Sequence, residues 1–176
     1  AIEADVSNVW VSTDCDLIKK VSRSYGARVI DRPPSLCDDH IMPDAAVVHF
    51  CLNVNTDIVV FIQPTSPLIN SNIINDGLSL MKNKSLDSVF TVCEEHWSPY
   101  WTENCHPIDW KISERPRRQD VEKRYRENGM MYISKSKIVI ENELRYGGRM
   151  GMLPVKTSLS LDINTSEDLV IAEKLL

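Results

Sequence analysis

The chain has 176 residues, 43% of them hydrophobic, and a formal net charge of −5 at pH 7. That length suits one domain with a core of its own, and the acidic balance argues against a general nucleic-acid or membrane-surface binder. No apolar run approaches the ~20 residues that a bilayer-spanning helix needs, and five cysteines (Cys15, Cys37, Cys51, Cys93, Cys105) without CxxC spacing read as thiols of a reducing compartment, not a disulfide framework or a zinc site.

Ala1 to Ala4 reads as the tail of a helix, with a strand and helix expected upstream of it. Val9 to Thr13 is β-rich and reads as a strand; Thr13 or Asp14 then caps a helix to about Tyr25, with Gly26 as its C′ residue. Ala27 to Ile30 is the next strand, which gives a β-α-β unit and a parallel pair. Prolines hold Asp31 to Asp39 open as a loop, and Pro43 starts a helix to about Leu52.

Ile58 to Ile62 is a short apolar run that reads as a strand buried on both faces. It stops at Gln63-Pro64-Thr65-Ser66-Pro67, where two prolines forbid continuation. A buried strand that ends in a polar, proline-fixed turn is how an open α/β sheet places side chains in the crevice beyond its strand ends. Read alone, the same turn serves equally well as a rigid connection with Thr65 or Ser66 as a helix cap.

Ser71 to Met81 predicts an amphipathic helix and Asp87 to Cys93 a strand. Between Glu94 and Glu127 the character changes: three of the four tryptophans, three prolines and a dense charge cluster fall there. This stretch reads as an excursion that packs on a partner subunit, or as an irregular lid over the molecule's own sheet. Gly129 to Ile133 and Met150 to Val155 predict strands, with a tight turn at Gly147-Gly148. Leu159 to Ile163 reads as extended, and Thr165-Ser166-Glu167-Asp168 as a capping box opening a helix through Ala172. The alternation predicts one α/β domain over 1–176, with a Rossmann-like, mostly parallel sheet and flanking helices.

Two groups can carry chemistry. Arg115, Arg117 and Arg118 fall within four positions. They read as a solvated surface, as an import-like basic patch, or as an anion clamp whose guanidinium forks match carboxylates and phosphates; on one helical turn, Arg115 and Arg118 share a face. Asp162 and Asn164, two apart in an extended piece, project to one side. They suit Mg²⁺, which takes few protein ligands, while Asn164 or Thr165 also serves as a helix cap. The four histidines show no ligand spacing, and no GxSxG, HExxH or Walker loop is present.

The motifs Val9-Trp10-Val11-Ser12-Thr13-Asp14, Arg32-Pro33, Gln63-Pro64-Thr65-Ser66-Pro67, Arg115-Pro116-Arg117-Arg118-Gln119-Asp120, Glu127-Asn128-Gly129-Met130-Met131-Tyr132 and Asp162-Ile163-Asn164 occur in this order. In that respect the whole chain resembles the CMP-sialic acid synthetases, or N-acylneuraminate cytidylyltransferases, and more the animal than the bacterial members. The resemblance implies a nucleotide-diphosphosugar-transferase-like fold. It also implies a homodimer or dimer of dimers in which an extended element, here the 94–127 excursion, reaches over the partner's active site. The implied reaction joins CTP and sialic acid into CMP-sialic acid plus pyrophosphate, with Mg²⁺ as cofactor and neither nucleic acid nor membrane as partner. Related keto sugars (KDN, KDO, legionaminate), or a non-catalytic nucleotide-binding or dimerisation module, are the alternatives.

Carried over by motif, Gln63, Thr65 and Ser66 line the nucleotide and sugar pocket and Arg32 lies near the cytidine. Arg115, Arg118 and Gln119 hold the sugar or phosphates and carry the catalysis. Asn128, Gly129 and Tyr132 shape the sugar site, and Asp162 and Asn164 bind the metal. Asn164 stands where the family usually has an acid, and the family's glycine- and lysine-containing phosphate loop has no counterpart in these residues. No side chain stands out as a general base. Glu114 interrupts the basic run, so the resemblance leaves nucleus and cytoplasm both open.

Overall fold

The computed structural model describes residues 1–176. The chain runs β1 (Trp10–Thr13), α1 (Asp16–Ser24), β2 (Arg28–Asp31), α2 (Pro43–Asn53), β3 (Ile58–Ile62), α3 (Ser71–Asn83), β4 (Ser88–Glu95), β5 (Tyr100–Trp101), β6 (Pro107–Ile108), β7 (Arg124–Lys135), α4 (Ser136–Asn142), β8 (Met150–Pro154) and α5 (Ser166–Leu175), with four short 3-10 turns between. The expected α/β class holds.

The main sheet has the order β3-β7-β4-β8. β4 and β8 are parallel, and β7 runs antiparallel to both β3 and β4, so three strands share one direction and β7 opposes them. A second sheet is the parallel pair β1-β2 expected from the β-α-β pattern. Ile58 to Ile62 is a strand as its composition demands, but at the sheet edge instead of its middle. Only Val59 in it is fully buried and Ile58 is 43% exposed. A short apolar run has the same composition whether one neighbour covers it or two, and here β7 is its only ladder partner.

The core forms two layers on the sheet. On one face, Ile73, Ile74 and Met81 of α3 pack with Val89 of β4 and Met130, Met131 and Ile133 of β7. The other face carries Val47 and Cys51 of α2, Val59 of β3 and Val139 of α4. Asn70, the residue before α3, caps that helix by accepting from Ile73 N–H at 3.1 Å.

Several boundaries moved. Ala1 to Ala4 makes a turn closed by Ala4 N–H to Ala1 C=O, not a helix. α1 starts after Cys15, and Thr13 Oγ1 accepts from Cys15 N–H instead of capping the helix. Gly26 does follow α1 at φ +82°, as its C′ position requires. β7 begins five residues before the expected strand, inside the excursion. Helix α4, seven residues long, had no distinct apolar period to announce it.

The excursion narrows to residues 96–123 and contains the β5-β6 hairpin. Trp110 packs edge-on against Trp101 (4.8 Å between centroids) and Trp97 (6.3 Å), and the Arg115 guanidinium lies over Trp110 at 5.7 Å and Trp97 at 6.0 Å. The tryptophans therefore form a small cluster of their own, with Tyr100, Trp101 and Ile112 exposed.

Candidate functional site

The turn after β3 is held at both ends. Gln63 N–H donates to Met130 C=O (3.2 Å), Ser66 N–H closes back on Gln63 C=O (3.1 Å), and Ile163 N–H donates to Thr65 C=O (2.9 Å). The last bond draws the Asp162–Asn164 segment against the Gln63–Ser66 turn across nearly a hundred residues of sequence. Ser66 is buried at 3% exposure. Gly129, beside Met130 on β7, adopts φ +72°, and a Cβ there would lie 3.1 Å from Gln63 Oε1. Gln63, Thr65, Ser66, Gly129, Asp162 and Asn164 thus share one locality beyond the strand ends.

Within it, Asn164 Nδ2 donates to Asp162 Oδ2 at 3.0 Å, and Asp162 Oδ1 is buried without a hydrogen-bond partner. A buried, unpartnered carboxylate oxygen is costly unless a cation or proton meets it. No group of three or more His, Cys, Asp or Glu side chains converges anywhere to hold a metal. The orphaned Asp162 oxygen, with Asn164 beside it, fits only a cation that takes few protein ligands. Thr165, not Asn164, is the helix cap. Its hydroxyl accepts from Asp168 N–H while the Asp168 carboxylate accepts from the Thr165 and Asn164 N–H groups. The Thr165 hydroxyl also donates to the Asp168 carboxylate at 2.8 Å, and this bond first, then those from the two N–H groups, holds the Asp168 carboxyl below its ordinary range.

Arg32 is pinned at the end of β2, its guanidinium donating to Ser12 C=O (2.6 Å) and Ser12 Oγ (3.2 Å) on the neighbouring strand. Asn128 is 7% exposed and its carboxamide is fully engaged inside the protein.

Tyr132 stands in a row of side chains on one sheet face, in register with Phe61 and Phe90. Its hydroxyl hydrogen-bonds the exposed Glu127 carboxylate, and its ring stacks on Tyr146 at 5.6 Å. Burial, then the Glu127 contact, push the phenol well above its ordinary pKa, so it stays a neutral donor and not a base. Behind it lies a buried ion pair that the sequence reading missed. Arg145 Nη2 and Nε meet Asp44 Oδ2 (2.6 Å) and Oδ1 (3.0 Å), and the guanidinium sits 5.0 Å over the Tyr132 ring. Nothing in the local pattern around Asp44 or Arg145 could have paired residues 101 apart.

The arginine motif borders a cavity of its own. Arg115 ends one 3-10 turn and Arg118 begins another, so the shared helical face expected of them does not form. Arg118 and Gln119 line a cavity of about 310 Å³ with Glu94, Glu95, His96 and Trp97 at the base of the excursion. None of the residues around Gln63 or Asp162 lines it.

A parallel-rich α/β sheet flanked by helices, with polar groups gathered beyond its strand ends, defines an open α/β domain of the kind that binds ligands in the crevice past its strands. Solved structures agree on the fold. The chain superposes on a CMP:2-keto-3-deoxy-manno-octonic acid synthetase complexed with CTP at TM-score 0.73, with 15% identity, over 99% of this chain and 83% of that one. It superposes on a 4-diphosphocytidyl-2C-methyl-D-erythritol synthase from Anaerococcus prevotii at 0.66, with 11% identity, over 97% and 78%.

The chain belongs to the cytidylyltransferase family, whose model matches residues 1–149. It is 32% identical to N-acylneuraminate cytidylyltransferase B of Danio rerio, over 99% of this chain and 43% of the relative. To N-acylneuraminate cytidylyltransferase of Streptococcus agalactiae serotype V it is 26% identical, over 94% and 42%. The chain thus spans less than half the length of these curated relatives. No helix is long and apolar enough to cross a membrane.

Proposed function

We propose that this chain is part of an N-acylneuraminate cytidylyltransferase, which joins CTP and N-acetylneuraminate into CMP-sialic acid and releases pyrophosphate. The observation that carries this reading is the Ile163 N–H to Thr65 C=O bond. It sets the Asp162 carboxylate beside the Gln63–Ser66 turn, in a chain whose similarity to the animal enzymes runs over nearly its full length.

Gln63 and Ser66 bind the nucleotide and the facing edge of the sugar, with Arg32 directed by Ser12 towards the base. Gly129 keeps the floor beneath Gln63 open. Tyr132, held neutral, donates to the substrate or to Glu127 and forms the apolar wall of the sugar site with Phe61 and Tyr146. Asp162, with Asn164 beside it, holds Mg²⁺, which when bound neutralises phosphate charge. One anionic ligand in place of two makes that hold weaker than a pair of acids gives.

Arg115, Arg118 and Gln119 sit on the excursion, apart from this cleft, and we assign them to the active site of a second copy in a homodimer. There the guanidinium forks grip the carboxylate or phosphates of the substrate. Catalysis is then mostly alignment of the anomeric hydroxyl on the α-phosphorus together with charge neutralisation.

The test is pyrophosphate release by the full-length protein from CTP and N-acetylneuraminate with Mg²⁺. Release that requires both substrates is the expected result. Release with KDN or KDO in its place moves the reading to another keto sugar, and a folded protein that binds CTP without releasing pyrophosphate on any of these sugars overturns it.

A further inference from the structure

The Asn128 side chain is almost out of reach of a ligand, yet it touches three separate stretches of the chain. Its Oδ1 accepts from Thr91 Oγ1 of β4 at 2.7 Å and from Met130 N–H of β7 at 3.2 Å. Its Nδ2 donates to Ser160 Oγ at 2.9 Å and, more loosely, to Cys93 Sγ at 3.6 Å. Ser160 also accepts from the Cys93 thiol at 2.8 Å and is two residues ahead of Asp162. The Thr91 hydroxyl in turn accepts from Met131 N–H at 3.1 Å. This carboxamide lies where the β4-β7 ladder changes register, between the Phe90 and Val92 pairings, so strand hydrogen bonds alone do not fix the geometry there.

We propose that Asn128 is a positioning residue: through Ser160 it fixes the segment that carries Asp162, and with it the place at which the buried, unpartnered Asp162 oxygen meets a divalent cation. The inference rests on the cytidylyltransferase reading for the identity of the cleft. Every donor and acceptor of Asn128 is spent on the protein, so none remains for a sugar. The segment it braces has only one backbone bond to the turn after β3, Ile163 N–H to Thr65 C=O. Without the Nδ2 donor, the Ser160 hydroxyl keeps only the Cys93 thiol and the Lys156 carbonyl as partners. Groups hydrogen-bonded directly to a metal ligand commonly change metal affinity by about 10–100-fold when removed, and Asn128, which reaches Asp162 only through Ser160 and the intervening chain, belongs at the low end.

The test uses the full-length protein and Mn²⁺ as the probe, read by electron paramagnetic resonance in the presence of CTP, beside a Mg²⁺ titration of pyrophosphate release. Ser160→Ala and Asn128→Ala should each weaken Mn²⁺ binding about tenfold and raise the Mg²⁺ needed for half-maximal turnover. The KM for the sugar at saturating Mg²⁺ should stay unchanged, and the double variant should be no weaker than the worse single one, because the two side chains act as one unit. If Asn128→Ala fails to fold, Ser160→Ala decides the matter alone. Unchanged Mn²⁺ affinity in Ser160→Ala overturns the proposal. So does a raised sugar KM confined to Asn128→Ala, which makes Asn128 a sugar contact. A wild type that releases no pyrophosphate but shows the variant-dependent Mn²⁺ affinities sinks the reaction and keeps the bracket. A wild type that turns over without binding Mn²⁺ does the reverse.

Discussion

The two halves of β7 meet solvent differently. From Met130 to Ser134 nearly every side chain is out of reach of water, held between β3 and β4 and under α3. From Arg124 to Glu127 every residue is exposed, and the strand pairs only with the outer end of β4 as the two rise into the tryptophan excursion. Asn128 and Gly129 lie at the junction. The inner half is fixed by burial on both faces, so its geometry resists substitution. The outer half is fixed by a ladder on one side and by ion pairs such as Lys123–Glu94 and Arg126–Glu95, which are exposed and individually weak. One strand therefore joins a rigid floor to an arm whose surface is free to be spent on binding.

Substitutions can sharpen or break that division. The largest stability effect should come from the Asp44–Arg145 ion pair packed over Tyr132 of the inner half. Asp44→Ala leaves Arg145 buried without its counter-charge and should cost about 3–5 kcal/mol in urea unfolding, with Asp44→Ala/Arg145→Met recovering much of it. Burial by itself raises the Asp44 pKa, but the Arg145 hydrogen bonds and charge outweigh it and depress the carboxyl. A depressed acid stabilises the fold above its ordinary titration range. That contribution should be lost as pH falls below about 4 towards the folded value, and Asp44→Asn should flatten this acid limb.

Arg118→Ala on the arm should do the opposite. Stability should change by less than about 0.5 kcal/mol, as for most exposed positions, while turnover falls about 10²–10³-fold; a large shift in the urea midpoint breaks the division. At the junction, Gly129→Ala should cost about 1–2 kcal/mol, because φ +72° penalises a Cβ. It should also weaken CTP binding by displacing Gln63, which titration calorimetry can read. The smallest effect is Thr165→Ala, which removes the α5 capping box and should cost about 1 kcal/mol of thermal stability with the sheet intact.

Much of the fold was legible because it is written in local chemistry. Pro43 at the start of α2, Gly26 behind α1 and the Thr165–Asp168 box each act within a few residues, and each appears where its spacing puts it. The apolar run at Ile58 to Ile62 and the polar turn after it likewise announce a strand end with side chains to offer. Periodicity could not say that this strand is an edge, or that β7 turns against its neighbours, since both depend on which segment arrives beside it. It also could not bring Asp44 to Arg145, Asn128 to Ser160 or Thr65 to Ile163. Those bonds exist only once the sheet has closed, and their burial gives them their strength. The arginine motif shows the same limit from the other side, for its residue types declared anion recognition while only the folded excursion sets Arg118 and Gln119 on a cavity that none of the residues around Gln63 lines. The sequence by itself determined the elements, their caps and the chemical types available at the site; the tertiary structure decided which of those groups share a place, because proximity across a hundred residues is set by packing and not by any local preference.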